Sequence, residues 1–320
     1  MEPTDLSVTA TMSKSQLKIS VVMPLYNKAP FVVEALESIL SQTYAAHEII
    51  VVDDGSTDDG VSLVESLAHP AIRLIQQRNA GVAAARNTGV QAATGDFIAF
   101  LDADDRYLPG FLTAINNLAH DFPSAGLLAT AFRRFSDGRG SISYANSSLP
   151  QLHRGLVKDF YAQWCRGAFV SASSLAIRTT AFRESGIQFP AGERLGEDQD
   201  VWFRMAERYP LAYDPTVYCE YRVNVSGSAT HAAQVVDLLP CYQRLAGRLQ
   251  RKEIAPPLVC GAQRLLASHY LNVARARLST GDINGASQLV LSPVARANPT
   301  YLLRTLALVG LTKLKLRPPK

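Results

Sequence analysis

The chain has 320 residues, 47% of them hydrophobic and 19% charged, which is enough length and apolar content for a full core plus an appendage. Its net charge of +4 is too mild to mark nucleic acid as a partner. Four cysteines (Cys165, Cys219, Cys241, Cys260) stand far apart without a Cys-x-x-Cys pair, so neither a zinc site nor a disulfide framework is expected, and each reads as a small buried hydrophobe.

Residues 1–17 are polar and rich in Ser and Thr, with no apolar core of signal-peptide length, and read as a flexible leader. Residues 18–23 form a short β-branched run stopped by Pro24, the pattern of a central parallel strand. Asn27 is placed to cap the helix that follows, Pro30 suits its first turn, and Val32, Leu36, Ile39 and Leu40 recur at helical spacing. A second apolar strand, 48–52, runs into Asp53-Asp54-Gly55-Ser56-Thr57-Asp58. A helix over about 59–67 and a third strand over 72–75 come next. Residues 78–89 are small and largely helical, with alanines that let a helix lie close to a sheet.

A fourth apolar run, Phe97 to Leu101, ends abruptly in Asp102-Ala103-Asp104-Asp105. Like charges this close raise each other's pKa unless something positive compensates. A hard divalent cation would do so and would bring a phosphate-bearing ligand with it, whereas the bland alternative is a solvated acidic turn. Strand–helix alternation of this kind predicts an open, mostly parallel sheet with helices on both faces. Ligands bind such sheets outside the carboxyl ends of the strands, where Pro24-Leu25-Tyr26, Asp53-Asp54 and Asp102-Ala103-Asp104 all fall.

Further on, a helix follows Pro109, and 133–144 carries an Asp137-Gly138 turn between flanks that could pair as a hairpin. Residues 171–177 look like a strand. Glu197, Asp198 and Asp200 open a helix, where the dipole favours acids, and 211–221 read as two short strands around Pro215. From about His231 strand-like runs stop. Residues 267–299 resemble one tetratricopeptide-type helical hairpin. The tail, 301–320, joins an apolar patch to Lys313, Lys315, Arg317 and Lys320, which suits either an anionic membrane surface or a helix packed on the domain. No stretch is long and apolar enough to span a bilayer, so the expected location is the cytoplasm, at most peripheral on the inner face of the membrane.

Five motifs in order carry a resemblance: Ile19 to Asn27, Ile50 to Asp58, Asn79 to Gly89, Phe100 to Asp105, and Gly196-Glu197-Asp198. Together they resemble the family 2 glycosyltransferases of GT-A fold, over roughly residues 18–225. The resemblance implies an α/β, Rossmann-like GT-A domain over 18–228, with a C-terminal α-helical region over 229–320. It implies inverting transfer of one sugar from a nucleoside diphosphate donor, a UDP-sugar first of all, with Mn2+ or Mg2+ as cofactor. The acceptor would be the hydroxyl of a glycan or a lipid-linked precursor of the bacterial cell surface.

By the same resemblance Pro24, Tyr26 and Asp54 lie at the nucleotide base. An Asp54 acceptor suits the ring N–H of uracil, thymine or guanine, although Asp53 and Asp54 could equally cap an Asp-Gly turn. Gly81 and Arg86 belong to the donor site, where the guanidinium either reaches the diphosphate or holds an acidic loop. Asp102 and Asp104 match the Asp-x-Asp that binds metal, ribose and diphosphate, with Asp105 behind them. Asp198 matches the catalytic base, and Glu197 and Asp200 compete for that role. His231 is a candidate late metal or phosphate ligand. No Gln-x-x-Arg-Trp motif is found, which argues against a processive synthase.

A dinucleotide-binding oxidoreductase lacks its Gly-x-Gly-x-x-Gly after the first strand, and an aspartyl phosphatase would have its motif near the chain start with Gly-Thr following. The alternatives left are a sugar-nucleotide nucleotidyltransferase, whose glycine-rich basic loop is missing, and a non-catalytic sugar-nucleotide binding module.

Overall fold

The apolar runs become strands buried on both faces. In this computed structural model, which describes residues 16–137, 152–225 and 235–315, β1 (Ile19–Leu25) is followed by α1 (Ala29–Leu40), β2 (Glu48–Asp53), α2 (Gly60–Ser66) and β3 (Ile72–Gln76). Then come α3 (Val82–Ala92), β4 (Phe97–Phe100), β5 (Arg106–Tyr107), α4 (Phe111–Asp121) and β6 (Leu127–Phe135). After residue 151 the chain forms β7 (Gly155–Val157), α5 (Phe160–Trp164), β8 (Leu175–Arg178), α6 (Thr179–Ser185), α7 (Glu197–Ala206) and β9 (Leu211–Arg222). Four helices complete it: α8 (Pro240–Gln250), α9 (Pro256–Ser279), α10 (Ile283–Leu291) and α11 (Pro299–Lys315).

One sheet takes the order β3-β2-β1-β4-β8-β6-β9-β5, with β7 on β9. The first four strands are parallel, whereas β8 runs antiparallel to both β4 and β6. Side chains alternate between two cores: Ile50, Val52, Ile98 and Phe100 face one, while Ile49, Val51, Phe97 and Ala99 face the other. Because both faces are covered, these strands are continuously apolar in sequence rather than alternating. Helix α3 lies against β1 so closely that a Cβ on Gly89 would sit 2.3 Å from Val22 Cγ1.

Several local expectations change. Strand β1 runs through Pro24 to Leu25, because pairing with β4 has already ended at Val22↔Phe100 and a missing N–H is tolerated beside an open edge. Asn27 does not cap α1. It adopts a positive φ of 49° and its Oδ1 accepts the Thr57 N–H at 2.8 Å, while Asp58 accepts the first helical N–H, from Ala29, at 2.8 Å. Residues 211–222 are one strand rather than two, since Asp214 and Val217 sit opposite the consecutive residues Thr130 and Ala131 and the intervening Pro215-Thr216 is accommodated as a bulge. The expected 133–144 hairpin lies mostly outside the described residues, and its first flank, Arg133 to Phe135, pairs in parallel with β9. Residues 172–174 form a 3-10 turn before β8.

The C-terminal helices are not a separate bundle. Cys241, Tyr242, Leu245, Ala262 and Leu266 join the same core as Phe100, Trp202 and Phe203, and a smaller cluster around Leu271, Ala286 and Val309 continues it. Helices α9 and α10 form the expected hairpin, but Pro299 opens α11 instead of ending the unit. Cys219 and Cys241 are buried as expected, while Cys260 is exposed. Among the described residues no helix is long and apolar enough to cross a membrane. On α11, Leu303 and Leu311 are exposed, and Arg317 and Lys320 lie outside the described residues.

Candidate functional site

The parallel register brings the carboxyl ends of β1, β2 and β4 to one side of the sheet, with Leu25 opposite Asp53 and Val22 opposite Phe100. Three loops therefore meet there. Tyr26 is 47% exposed at the mouth, so its ring is open to a ligand, whereas Pro24 is buried in β1. Asp53 caps its own turn, accepting the Ser56 N–H at 3.0 Å. Asp54 is buried and holds the next loop: its carboxylate accepts from Gln77 Nε2 at 2.7 Å, Ala80 N at 2.9 Å and Gly81 N at 2.7 Å. Three of its acceptor positions are thus taken by the chain itself. Gly81 has φ +91° with open space around its missing Cβ, and it starts α3 in that conformation.

Arg86, on α3, is 97% covered and joins two acidic motifs that are distant in sequence. Its Nη2 bonds Asp102 at 2.7 Å and its Nη1 bonds Glu197 at 2.9 Å. Burial opposes the charge, but Asp102, Glu197 and Asp198 outweigh it and keep the guanidinium firmly protonated. The Arg86 Nε has no partner among the described residues. Arg86 thus ties the end of β4 to the start of α7. Asn87 similarly fixes a backbone, exchanging two hydrogen bonds with Phe189.

Asp104 pairs with Lys28 at 2.6 Å, a cation from the loop after β1. Asp105 is wholly buried. It accepts from Ser173 Oγ at 2.5 Å and Arg222 N at 2.8 Å, while burial and the neighbouring Asp102 and Asp104 push its carboxyl well above the usual range. Arg222 also donates from Nε to the Asp104 carbonyl at 2.8 Å and pairs with Glu34 and Asp137. Lys28, Ser173 and Arg222 went unsuspected in the sequence. Lys28 had a legible signal, since it follows the strand that flanks β4; Ser173 and Arg222 arrive from distant elements and had none.

The three acids of α7 separate in the structure. Glu197 is held by Arg86, and Asp200, 1% exposed, is held by Arg244 at 2.8 Å and Arg204 at 3.3 Å. Asp198 has no ion pair among the described residues and accepts only the Gln199 N–H at 2.7 Å. Burial first, then the adjacent Glu197, push its carboxyl up to about 7 against the pull of Arg86. His231 lies outside the described residues.

Among the described residues no three metal-ligating side chains converge. The protein offers two half-buried carboxylates, Asp102 and Asp104, each now balanced by a cation. That donor set fits a hard divalent cation only if a phosphate-bearing ligand and water supply the remaining oxygens.

The family model for glycosyl transferase family 2 matches residues 20–184. An Escherichia coli protein described as the uncharacterized glycosyltransferase YibD is 42% identical over 110 residues, covering 34% of this chain and 32% of that one. A Rickettsia felis uncharacterized glycosyltransferase is 31% identical over 204 residues, covering 62% of this chain and 32% of its own. The chain thus matches about a third of the length of these relatives. Among solved structures, S. aureus TarS 1-349 in complex with UDP-GlcNAc superposes with a TM-score of 0.70 at 18% identity, covering 95% of this chain and 93% of that one. The mannosyltransferase PcManGT from Pyrobaculum calidifontis, in complex with GDP-Man and Mn2+, gives 0.60 at 22% identity, with coverage of 91% and 86%. At these identities the likeness carries the GT-A fold alone. With the family model spanning more than half of the chain and the strand-end motifs gathered at one crevice, the protein belongs to glycosyl transferase family 2.

Proposed function

We propose that the protein transfers a single sugar, with inversion and with a divalent cation, from a nucleoside diphosphate sugar to a hydroxyl of a glycan or lipid-linked acceptor. The observation that carries this reading is the sorting of the α7 acids: two are neutralised by arginines, and Asp198 has no ion pair among the described residues, with a carboxyl at about 7. A base poised near the working pH is what removal of an acceptor proton needs. Inversion follows if the acceptor attacks from the Asp198 side, opposite a leaving diphosphate whose cation Asp102 and Asp104 would hold. When bound, the cation stabilises the charge that develops on the leaving nucleoside diphosphate. Structural neighbours solved with UDP-GlcNAc, and with GDP-Man and Mn2+, support the donor class and the metal.

In this reading Arg86 positions Asp102 and the start of α7, Asp54 shapes the 77–81 loop beside the base, and Tyr26 offers its ring to the base. A preference for a UDP-sugar, a cell-surface acceptor and peripheral membrane attachment through the C-terminal tail belong to the same proposal. The test is a panel of UDP-, GDP- and dTDP-sugars with Mn2+ or Mg2+, scored for nucleoside diphosphate release. Release from one donor class that stops with EDTA is expected. Release of pyrophosphate from a sugar phosphate and a nucleoside triphosphate, with no donor cleavage, would overturn the reading in favour of a nucleotidyltransferase.

A further inference from the structure

Arginines around the crevice are spent on carboxylates: Arg86, Arg106, Arg133, Arg222 and Arg244 each hold at least one. A cavity of about 520 Å³ between residues 164–168, at the end of α5, and helices α9 and α11 is built differently. Arg166, Arg264 and Arg304 line it, and among the described residues no Asp or Glu does. None of these three has an ion-pair partner among the described residues. Arg275, behind the wall, stacks on Tyr301 at 4.9 Å and leaves its Nε without a partner among the described residues.

Several neutral groups of the cavity bond one another. Asn272 Oδ1 accepts from the Tyr301 hydroxyl, and that hydroxyl accepts from Arg275 Nη1 at 3.2 Å. Asn298 donates to Ser268 Oγ at 2.9 Å and accepts the Tyr301 N–H at 3.3 Å, and Ser268 donates onward to the Arg264 carbonyl at 2.9 Å. His269 stacks on Tyr242 at 3.7 Å and takes the Leu239 N–H on Nε2 at 3.1 Å. Burial pushes its pKa down to about 4, so the ring is neutral and carries its hydrogen on Nδ1. The Asn272 amide, the His269 Nδ1–H and the guanidinia remain as donors, beside the Thr300 hydroxyl, which can donate or accept.

An excess of donors, and positive charge without a carboxylate among the described residues, match an anionic ligand rich in acceptor oxygens. We propose that this cavity binds a phosphate group of the acceptor substrate, in a diphosphate or phosphodiester linkage, through Arg166, Arg264 and Arg304. That the ligand is the acceptor rests on the transfer reading above; that it carries phosphate rests on the cavity alone. Trp164 and Tyr242, also in the cavity wall, each pack a ring 5.6 Å from Phe203 of α7, the helix that begins with Glu197 and Asp198. A ligand here leans on the helix of the proposed base without touching Asp102 or Asp104, neither of which lines the cavity.

The test is calorimetric titration of the full chain in EDTA with inorganic pyrophosphate, and separately with glycerophosphoglycerol, a phosphodiester. One saturable site is expected for at least one probe, and the tighter probe identifies the linkage. The Arg264→Gln/Arg304→Gln pair, both exposed positions, weakens binding at least tenfold with the melting temperature retained, and Lys at both positions restores part of it. Asp104→Ala leaves it intact. No saturable binding, or binding that survives the double Gln change, or loss that follows Asp104→Ala, overturns the proposal. Failure of every sugar nucleotide in the donor panel removes the transfer reading instead and leaves the pyrophosphate titration standing.

Discussion

Arg86→Gln tests whether one buried cation holds the two acidic motifs together. The guanidinium is 3% exposed and bonds Asp102 at 2.7 Å and Glu197 at 2.9 Å, with Glu197 itself 7% exposed. Removing one partner of a buried pair costs about 3–5 kcal/mol, because the charge left behind stays desolvated and unpaired. The expected loss in melting temperature is roughly 4–7 °C. The sign of its pH dependence follows from the carboxylates left behind. Glu197, the buried one of the two, would lose its cation, and a buried carboxylate without one binds a proton more readily folded than unfolded, so the variant takes up protons on folding. Its deficit is therefore smallest near pH 5 and grows as the pH rises. Arg86→Lys retains charge but cannot fork to both acids, and should fall between. The assay is thermal unfolding of wild type and both variants at pH 5, 6.5 and 8. A Gln variant within about 1 kcal/mol of wild type, or a deficit that is flat across those pH values, would refute the clamp.

Three other outcomes follow from the same geometry. Transfer rate should rise with pH through about 7 as Asp198 loses its proton, and Asp198→Asn should lose at least about a hundredfold in kcat with donor binding intact; a variant that keeps its rate and its pH profile would remove Asp198 from the role of base. Asp104→Ala should abolish metal-dependent donor binding, read as the difference in donor affinity with and without EDTA, whereas an EDTA response equal to wild type would sink the metal assignment. Gly89→Ala places a methyl 2.3 Å from Val22 Cγ1 and should destabilise by about 1–3 kcal/mol in urea unfolding, with a neutral result showing that α3 has room to move off β1.

Much of the site was legible because its motifs are local. Asp102-Ala103-Asp104 could be placed at a strand end from the apolar run before it, and the Asp53-Asp54 turn likewise, since a buried parallel strand must stop where charge begins. Cross-chain partners were not legible. Asn27 looked like a helix cap on spacing alone, yet Asp58 from the next strand-end loop takes that donor. Asp54 looked free to face a ligand, and its three partners lie more than twenty residues away.

The α7 acids make the division plain. The sequence by itself determined that Glu197, Asp198 and Asp200 open one helix, and that β1 to β4 form a doubly covered parallel sheet, because helical and strand periodicities are written in neighbouring residues. Only the tertiary structure decided which of these acids is neutralised and which has no ion pair among the described residues. Arg86 from α3 neutralises Glu197, and Arg244 from α8 helps neutralise Asp200. Both cations are distant in sequence, and a carboxylate's protonation depends on the charges and burial around it rather than on its neighbours in the chain.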